Sequence, residues 1–118
     1  MKYAYNCLLW RGAGMTLGEI KQYRDRIGRD IQLFGYTSTS LDQNQALNFA
    51  WENETSGHNK VLFKIEWDKD FDHYFLNAGA YDQEQEVLLA DGTHLRVDSV
   101  EDVLNKDGLK VYTIIILK

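Results

Sequence analysis

The chain has 118 residues, which suits one domain with a modest core and leaves little room for two. Hydrophobic residues make up 44% of it and charged residues 26%, ordinary values for a soluble globular protein, and no low-complexity tract stands out. The formal net charge of -5 argues against a nucleic-acid partner and a polybasic membrane anchor, and the single cysteine, Cys7, excludes an intrachain disulfide.

Residues 3–10 are aromatic and apolar and end at Arg11-Gly12, which predicts a strand running into a glycine turn, with Cys7 as a small core residue. Thr16 followed by Glu19 is a capping box, so a helix is expected to start there, with Leu17, Ile20 and Ile27 on its buried face and Asp25 and Arg26 on the wetter side. Residues 31–39 read as a second strand. Ser40 and Gln43 form another capping-box pattern, with Ala46, Leu47, Phe49 and Ala50 as the apolar positions of a short helix. Residues 52–59 read as a loop.

Residues 61–67 alternate, turning Val61, Phe63, Ile65 and Trp67 to one face. Residues 71–76 form a further short extended piece and 77–80 a loop. Residues 84–89 read as a strand, Asp91-Gly92 as a tight turn and 93–100 as the strand returning beside it. Asp107-Gly108 is a turn before a last strand over 109–117. About seven strands with two short helices, both in the first half, predict an α+β fold of two packed, mainly antiparallel sheets rather than a doubly wound one. No window approaches the length of a transmembrane helix, and the amino terminus lacks the apolar run of a signal peptide. The scattered histidines His58, His73 and His94 give no zinc pattern, so no metal is expected.

Three short motifs carry possible chemistry. Arg11-Gly12 at a strand end presents a planar guanidinium to a phosphate or carboxylate and leaves the backbone open to a ligand; an exposed arginine beside a turn looks the same. Ser38-Thr39-Ser40 turns two serines to one face and a threonine to the other, as a hydroxyl-lined site or as an ordinary edge strand with Ser40 as N-cap. Glu84-Gln85-Glu86 sets two carboxylates on one face of a strand, suited to positive charge or proton transfer, or to a solvated acidic edge.

Taken in order, these motifs resemble the arginine–serine–glutamate class of mono-ADP-ribosyltransferases. Leu41, residues 46–50, the strand 61–65 and Val87-Leu88 extend the likeness to the vertebrate ecto-enzymes and the bacterial actin-modifying toxins, and it runs in order from about Leu9 to Leu89, most of the chain. The resemblance implies binding of NAD as co-substrate and transfer of its ADP-ribose to an arginine of a target protein. In it, Arg11 grips the NAD phosphates or a ribose hydroxyl, and the Gly12 backbone meets the nicotinamide amide. Ser38 holds the catalytic glutamate, and Thr39 and Ser40 shape the strand beneath the nicotinamide ribose. Phe49 packs near the nicotinamide or, equally, serves as a buried helix residue.

Glu86 matches the catalytic glutamate, and Glu84 the glutamate that orients or deprotonates the attacking guanidinium. Tyr81 matches an aromatic of the target-recognition turn. Family members usually carry a helical segment before the arginine strand, whereas this chain begins almost directly with it. The expectation is a single core over residues 1–118, either cut from a longer chain or minimal with a more open site. An NAD glycohydrolase and a non-catalytic binding module of the same fold are the alternatives. The target, compartment and oligomeric state are left open.

Overall fold

Nine consecutive residues with Leu9 fully buried make β1 (Cys7–Met15) the strand around which the molecule is organised. The computed structural model describes residues 7–33, 37–52, 58–67, 86–89 and 92–118. The predicted pieces at 71–76 and 77–80 lie outside the described residues, as does the side chain of Cys7. β1 pairs antiparallel along its whole length with β4 (Asn59–Trp67), so Arg11 lies opposite Phe63 and Gly12 opposite Leu62. β4 carries Val61, Phe63, Ile65 and Trp67 into the core as its alternation predicts, and Leu62 is buried on the other face, beneath α2 (Gln43–Glu52).

The sheet continues through a parallel pairing of β4 with β7 (Lys110–Leu117). β7 forms an antiparallel hairpin with β6 (His94–Leu104), and β6 pairs with the short β2 (Asp30–Gln32). The hairpin turn is local chemistry: Asn105 Oδ1 accepts the N–H groups of Asp107 and Leu109, and Gly108 takes φ 78°. On the far side of β1, β3 (Thr37–Ser40) pairs antiparallel with β5 (Glu86–Leu89). This two-stranded unit joins β1 at one residue pair, Trp10 with Ser40. The strand order β2-β6-β7-β4-β1-β3-β5 is therefore five strands and two strands hinged at a single join. Leu89 of the pair and Leu9, Val97, Ile115 and Leu117 of the five strands belong to one buried cluster, so both layers share a core.

Three sequence expectations are corrected. The continuous β-prone run 31–39 is two strands, β2 at one end of the order and β3 beyond β1, because Ile31 finds Leu95 of β6 while Thr39 finds Val87 of β5. The expected hairpin of 84–89 with 93–100 is not formed by β5 and β6: β5 pairs with β3, while the Gly92 N–H donates to Leu33 O and the Leu33 N–H to Thr93 O, which commits β6 to β2. Ser40 is not the N-cap of α2. Asp42 Oδ1 accepts the Asn44 N–H at 2.9 Å, while Ser40 Oγ accepts the Asp42 N–H and donates to Gln45 Oε1.

α1 (Leu17–Asp25) begins at the predicted capping box: Thr16 Oγ1 accepts the Glu19 N–H, and Glu19 Oε1 accepts the Thr16 N–H at 3.1 Å. Of its expected apolar face only Ile20 is buried; Leu17, the first residue of the helix, is exposed, as is Ile27, which lies past the close of the helix at Arg26. It is held to the sheet instead by Arg24, which donates to Asp102 Oδ1 at 3.1 Å, and by Tyr23, whose ring meets Phe63 edge-on at 5.4 Å. Burial pushes the Asp102 carboxyl up, but the Thr113 hydroxyl, Lys110 and Arg24 outweigh it and hold the group below its ordinary value.

The Thr16 N–H and hydroxyl likewise hold the Glu19 carboxyl below its ordinary 4.5. A lowered folded value adds stability above the unfolded one and loses it as pH falls through the folded one. Thr16→Ala should cost about 1 kcal/mol in urea unfolding near neutral pH. The gap to the parent should narrow as pH drops below 4.5. A gap unchanged from about pH 7 to about pH 3 contradicts this account of the helix start.

Candidate active site

Beyond Trp10 the strands β1 and β3 part. Residues 11–15 of β1 stay paired to β4 on one side and have no strand partner among the described residues on the other. The half-buried Arg11 crosses this opening and donates from Nη1 to the backbone oxygen of Ser38 at 2.9 Å. A planar guanidinium with five N–H donors keeps most of its capacity after one such bond. The Arg11–Ser38 contact thus fixes the cation at the mouth of the split without using up its chemistry.

The split opens into a cleft of about 620 Å³. Ala13, Gly14 and Met15 of β1 form one wall with Arg11, and Thr37 marks the β3 side. Phe63, Ile65 and Leu117 give an apolar floor, while α1 supplies Glu19, Gln22 and Tyr23, joined by Arg26, the residue that closes the helix. A concave site with an apolar floor and a few convergent polar groups is the usual form of a small-molecule site. Burial raises the Tyr23 phenol above its ordinary value and outweighs the opposing pull of Arg11 and Arg26, so the hydroxyl remains a donor at neutral pH.

The serine–threonine–serine strand alternates as expected. Thr39 is buried in the core, while Ser38 and Ser40 are half-buried. Ser40 stands opposite Glu86 in the β3–β5 register, and Ser38 stands opposite Leu88. Three adjacent strands therefore carry Arg11, Ser38 with Ser40, and Glu86 in that lateral order. Gly12 is buried on β1, beside the edge that loses its strand partner. A residue without a side chain lets a ligand approach such an edge closely.

Other sequence candidates are less fully placed. Glu84 and Tyr81 lie outside the described residues. Phe49 falls within α2 and Glu86 within β5, and the side chains of both lie outside the description. Conversely, Tyr23 and Arg26 line the cleft although no motif marks them. Their signal is helical period: positions 19, 22, 23 and 26 share one face and carry polar or aromatic residues where a core-facing helix would carry aliphatic ones.

A family model described as ADP-ribosyltransferase exoenzyme matches residues 15–117. No curated protein sequence matches significantly. Among solved structures, the chain is similar to the ADP-ribosyltransferase Vis in complex with agmatine, at TM-score 0.72 and 23% identity over 96% of this chain and 48% of that one. Vis toxin is from Vibrio splendidus. The catalytic domain of VahC from Aeromonas hydrophila follows at TM-score 0.59 and 19% identity, with 95% of this chain and 59% of that one covered. Exoenzyme S from Pseudomonas aeruginosa, bound to carba-NAD and a human 14-3-3 protein, gives TM-score 0.56 and 16% identity over 99% and 50% of the two chains. These likenesses show the shared fold, and the chain spans about half the length of the Vis structures it matches. With a model match over residues 15–117, the chain belongs to the ADP-ribosyltransferase exoenzyme family, whose fold it shares with bacterial toxins.

Proposed function

We propose that this chain binds NAD in the cleft beside β1 and transfers its ADP-ribose to an arginine guanidinium, releasing nicotinamide. One observation carries the reading: Arg11 is fixed to Ser38 O at the parting of β1 and β3, with β3 the one strand between it and the strand of Glu86. An oriented cation at the cleft, an open strand edge at Gly12 and a carboxylate-bearing strand beyond the serines are the parts that this reaction needs.

Breaking the bond from ribose to nicotinamide builds positive charge on the sugar. In this reading Arg11 holds the NAD phosphates by charge-assisted hydrogen bonds and so sets the ribose against β3. Glu86, positioned by Ser38, faces the developing oxocarbenium ion and hydrogen-bonds the ribose hydroxyl. Preorganised electrostatic groups of this kind are each worth about 3–4 kcal/mol of barrier. Nicotinamide leaves with the bonding electrons, and the guanidinium nitrogen then bonds to the anomeric carbon and gives up a proton. Free guanidinium is cationic at neutral pH, so attack needs a carboxylate to orient it and take that proton. Glu84 fills this role in the proposal, with Tyr81 contacting the target.

Two features support arginine as the acceptor: the sequence Glu84-Gln85-Glu86, and the structural likeness to Vis, which was solved with the arginine analogue agmatine. Nothing in the scheme calls on a metal. NAD and a protein with an accessible arginine are the partners it requires.

The parent protein incubated with NAD should release nicotinamide faster when agmatine is added and should yield ADP-ribosylated agmatine. Release indifferent to agmatine, with no such product, would assign a glycohydrolase instead. Glu86→Gln should remove release with and without agmatine, a loss of at least a hundredfold; activity equal to the parent sinks the reading. Glu84→Gln should abolish transfer to agmatine while sparing much of the hydrolysis, and equal loss of both would contradict the separate role given to Glu84.

A further inference from the structure

The α1 wall of the cleft belongs to none of the motifs that mark the family. It presents Glu19, Gln22, Tyr23 and Arg26, facing Arg11 and the apolar floor. The charge along this lining runs against that of the whole molecule. The chain carries 18 acidic and 13 basic residues. Among the described residues the lining has two cations, Arg11 and Arg26, against one anion, Glu19. That anion is already engaged, since Glu19 Oε1 accepts from the N–H and the hydroxyl of Thr16 at 3.1 and 3.0 Å. The part of the cleft between Arg11 and Arg26 is thus locally cationic on an acidic protein, which suits an anionic group of a ligand.

Arg26 is the free end of this arrangement. Lys21, Arg24, Lys110 and Lys118 all meet carboxylates. Arg26 has no hydrogen bond or ion pair through its guanidinium with any other described residue. Its backbone N–H caps α1 through Tyr23 O, which sets the position from which the side chain reaches the cleft. Arg11, Tyr23 and Arg26 border the same cleft. The Tyr23 ring is held edge-on against Phe63 at 5.4 Å, which orients the hydroxyl.

We propose that Arg26 and Tyr23 are further binding residues for the ADP-ribose half of NAD, with Arg26 the second guanidinium on the diphosphate beside Arg11 and the Tyr23 hydroxyl a donor to it. A diphosphate offers acceptor oxygens on two phosphorus atoms and matches two guanidinium forks better than one. The apolar floor of Phe63, Ile65 and Leu117 covers the less polar remainder of the nucleotide. The inference rests on the proposed use of NAD, and it adds an α1 contribution that the arginine–serine–glutamate pattern does not contain.

The test uses ADP-ribose as the probe, titrated by calorimetry into the parent, Arg26→Ala, Arg26→Lys and Tyr23→Phe, alongside KM and kcat for NAD. Arg26→Ala should weaken ADP-ribose binding about tenfold, the effect of losing one charge-assisted contact. KM for NAD should rise with kcat little changed, and Arg26→Lys should recover part of the loss. Tyr23→Phe keeps the ring contact with Phe63 and should weaken ADP-ribose binding by a smaller factor. Unchanged affinity in Arg26→Ala, or a parent that does not bind ADP-ribose, overturns the proposal. So does a loss that tracks a fall in melting temperature and is not restored by lysine. Failure of the transfer reading shows differently: nicotinamide is not released by the parent, while ADP-ribose binding and its dependence on Arg26 can still be measured.

Discussion

Trp10 and Ser40 make the one pairing between β1 and β3, and the cleft exists because the pairing stops there. A strand in a continuous sheet shares both edges with neighbours. Among the described residues the stretch from Arg11 to Met15 pairs with β4 alone, which leaves backbone groups along its other edge for a ligand. Arg11 crosses the same gap and ties it at 2.9 Å to Ser38 O. Arg11, Ala13, Gly14 and Met15 of β1 and Thr37 of β3 border this common cavity.

The opening stays defined because both sides are held elsewhere. β1 is paired with β4 through all nine of its residues, and α2 packs over both strands. β3 and β5 are tied into the shared core through the buried Thr39 and Leu89. α1 is set across the cleft by its capping box at Thr16, the Arg24–Asp102 contact and the Tyr23–Phe63 ring pair. Asp102 is in turn fixed by the fully buried Thr113 of β7. The exposed Lys21–Asp25 pair adds little, since ion pairs in full solvent contribute only a small fraction of stability. A cleft whose walls are positioned before the ligand arrives needs less reorganisation to bind it.

Local patterns were legible in the sequence and long-range partners were not. The alternation at 61–67, the capping box at Thr16 and Glu19 and the turn at Asp107-Gly108 depend on residues within a few positions of one another, and each is found as read. Strand pairing depends on distant residues. Nothing within 31–39 says that Ile31 meets Leu95 while Thr39 meets Val87. Gly92 was legible as a glycine-requiring position, and its φ is 87°, yet the partner of its N–H is Leu33, not a neighbouring strand of a hairpin. For the site, Arg11 and the serine strand carry a motif that can be read in order along the chain. Tyr23 and Arg26 acquire meaning only once α1 is laid over Phe63. Glu84 and Tyr81 rest on the motif alone, because they lie outside the described residues.

The central claim is that NAD seats in the parting of β1 and β3, and amide hydrogen exchange with and without NAD tests it most directly. The account predicts that saturating NAD slows exchange over residues 11–15 and 37–40 and along α1, and leaves the turn at Asn105 and Gly108, at the far end of the β6–β7 hairpin, unchanged. Protection that appears elsewhere, or no protection at 11–15 under conditions where NAD is shown to bind, would contradict it.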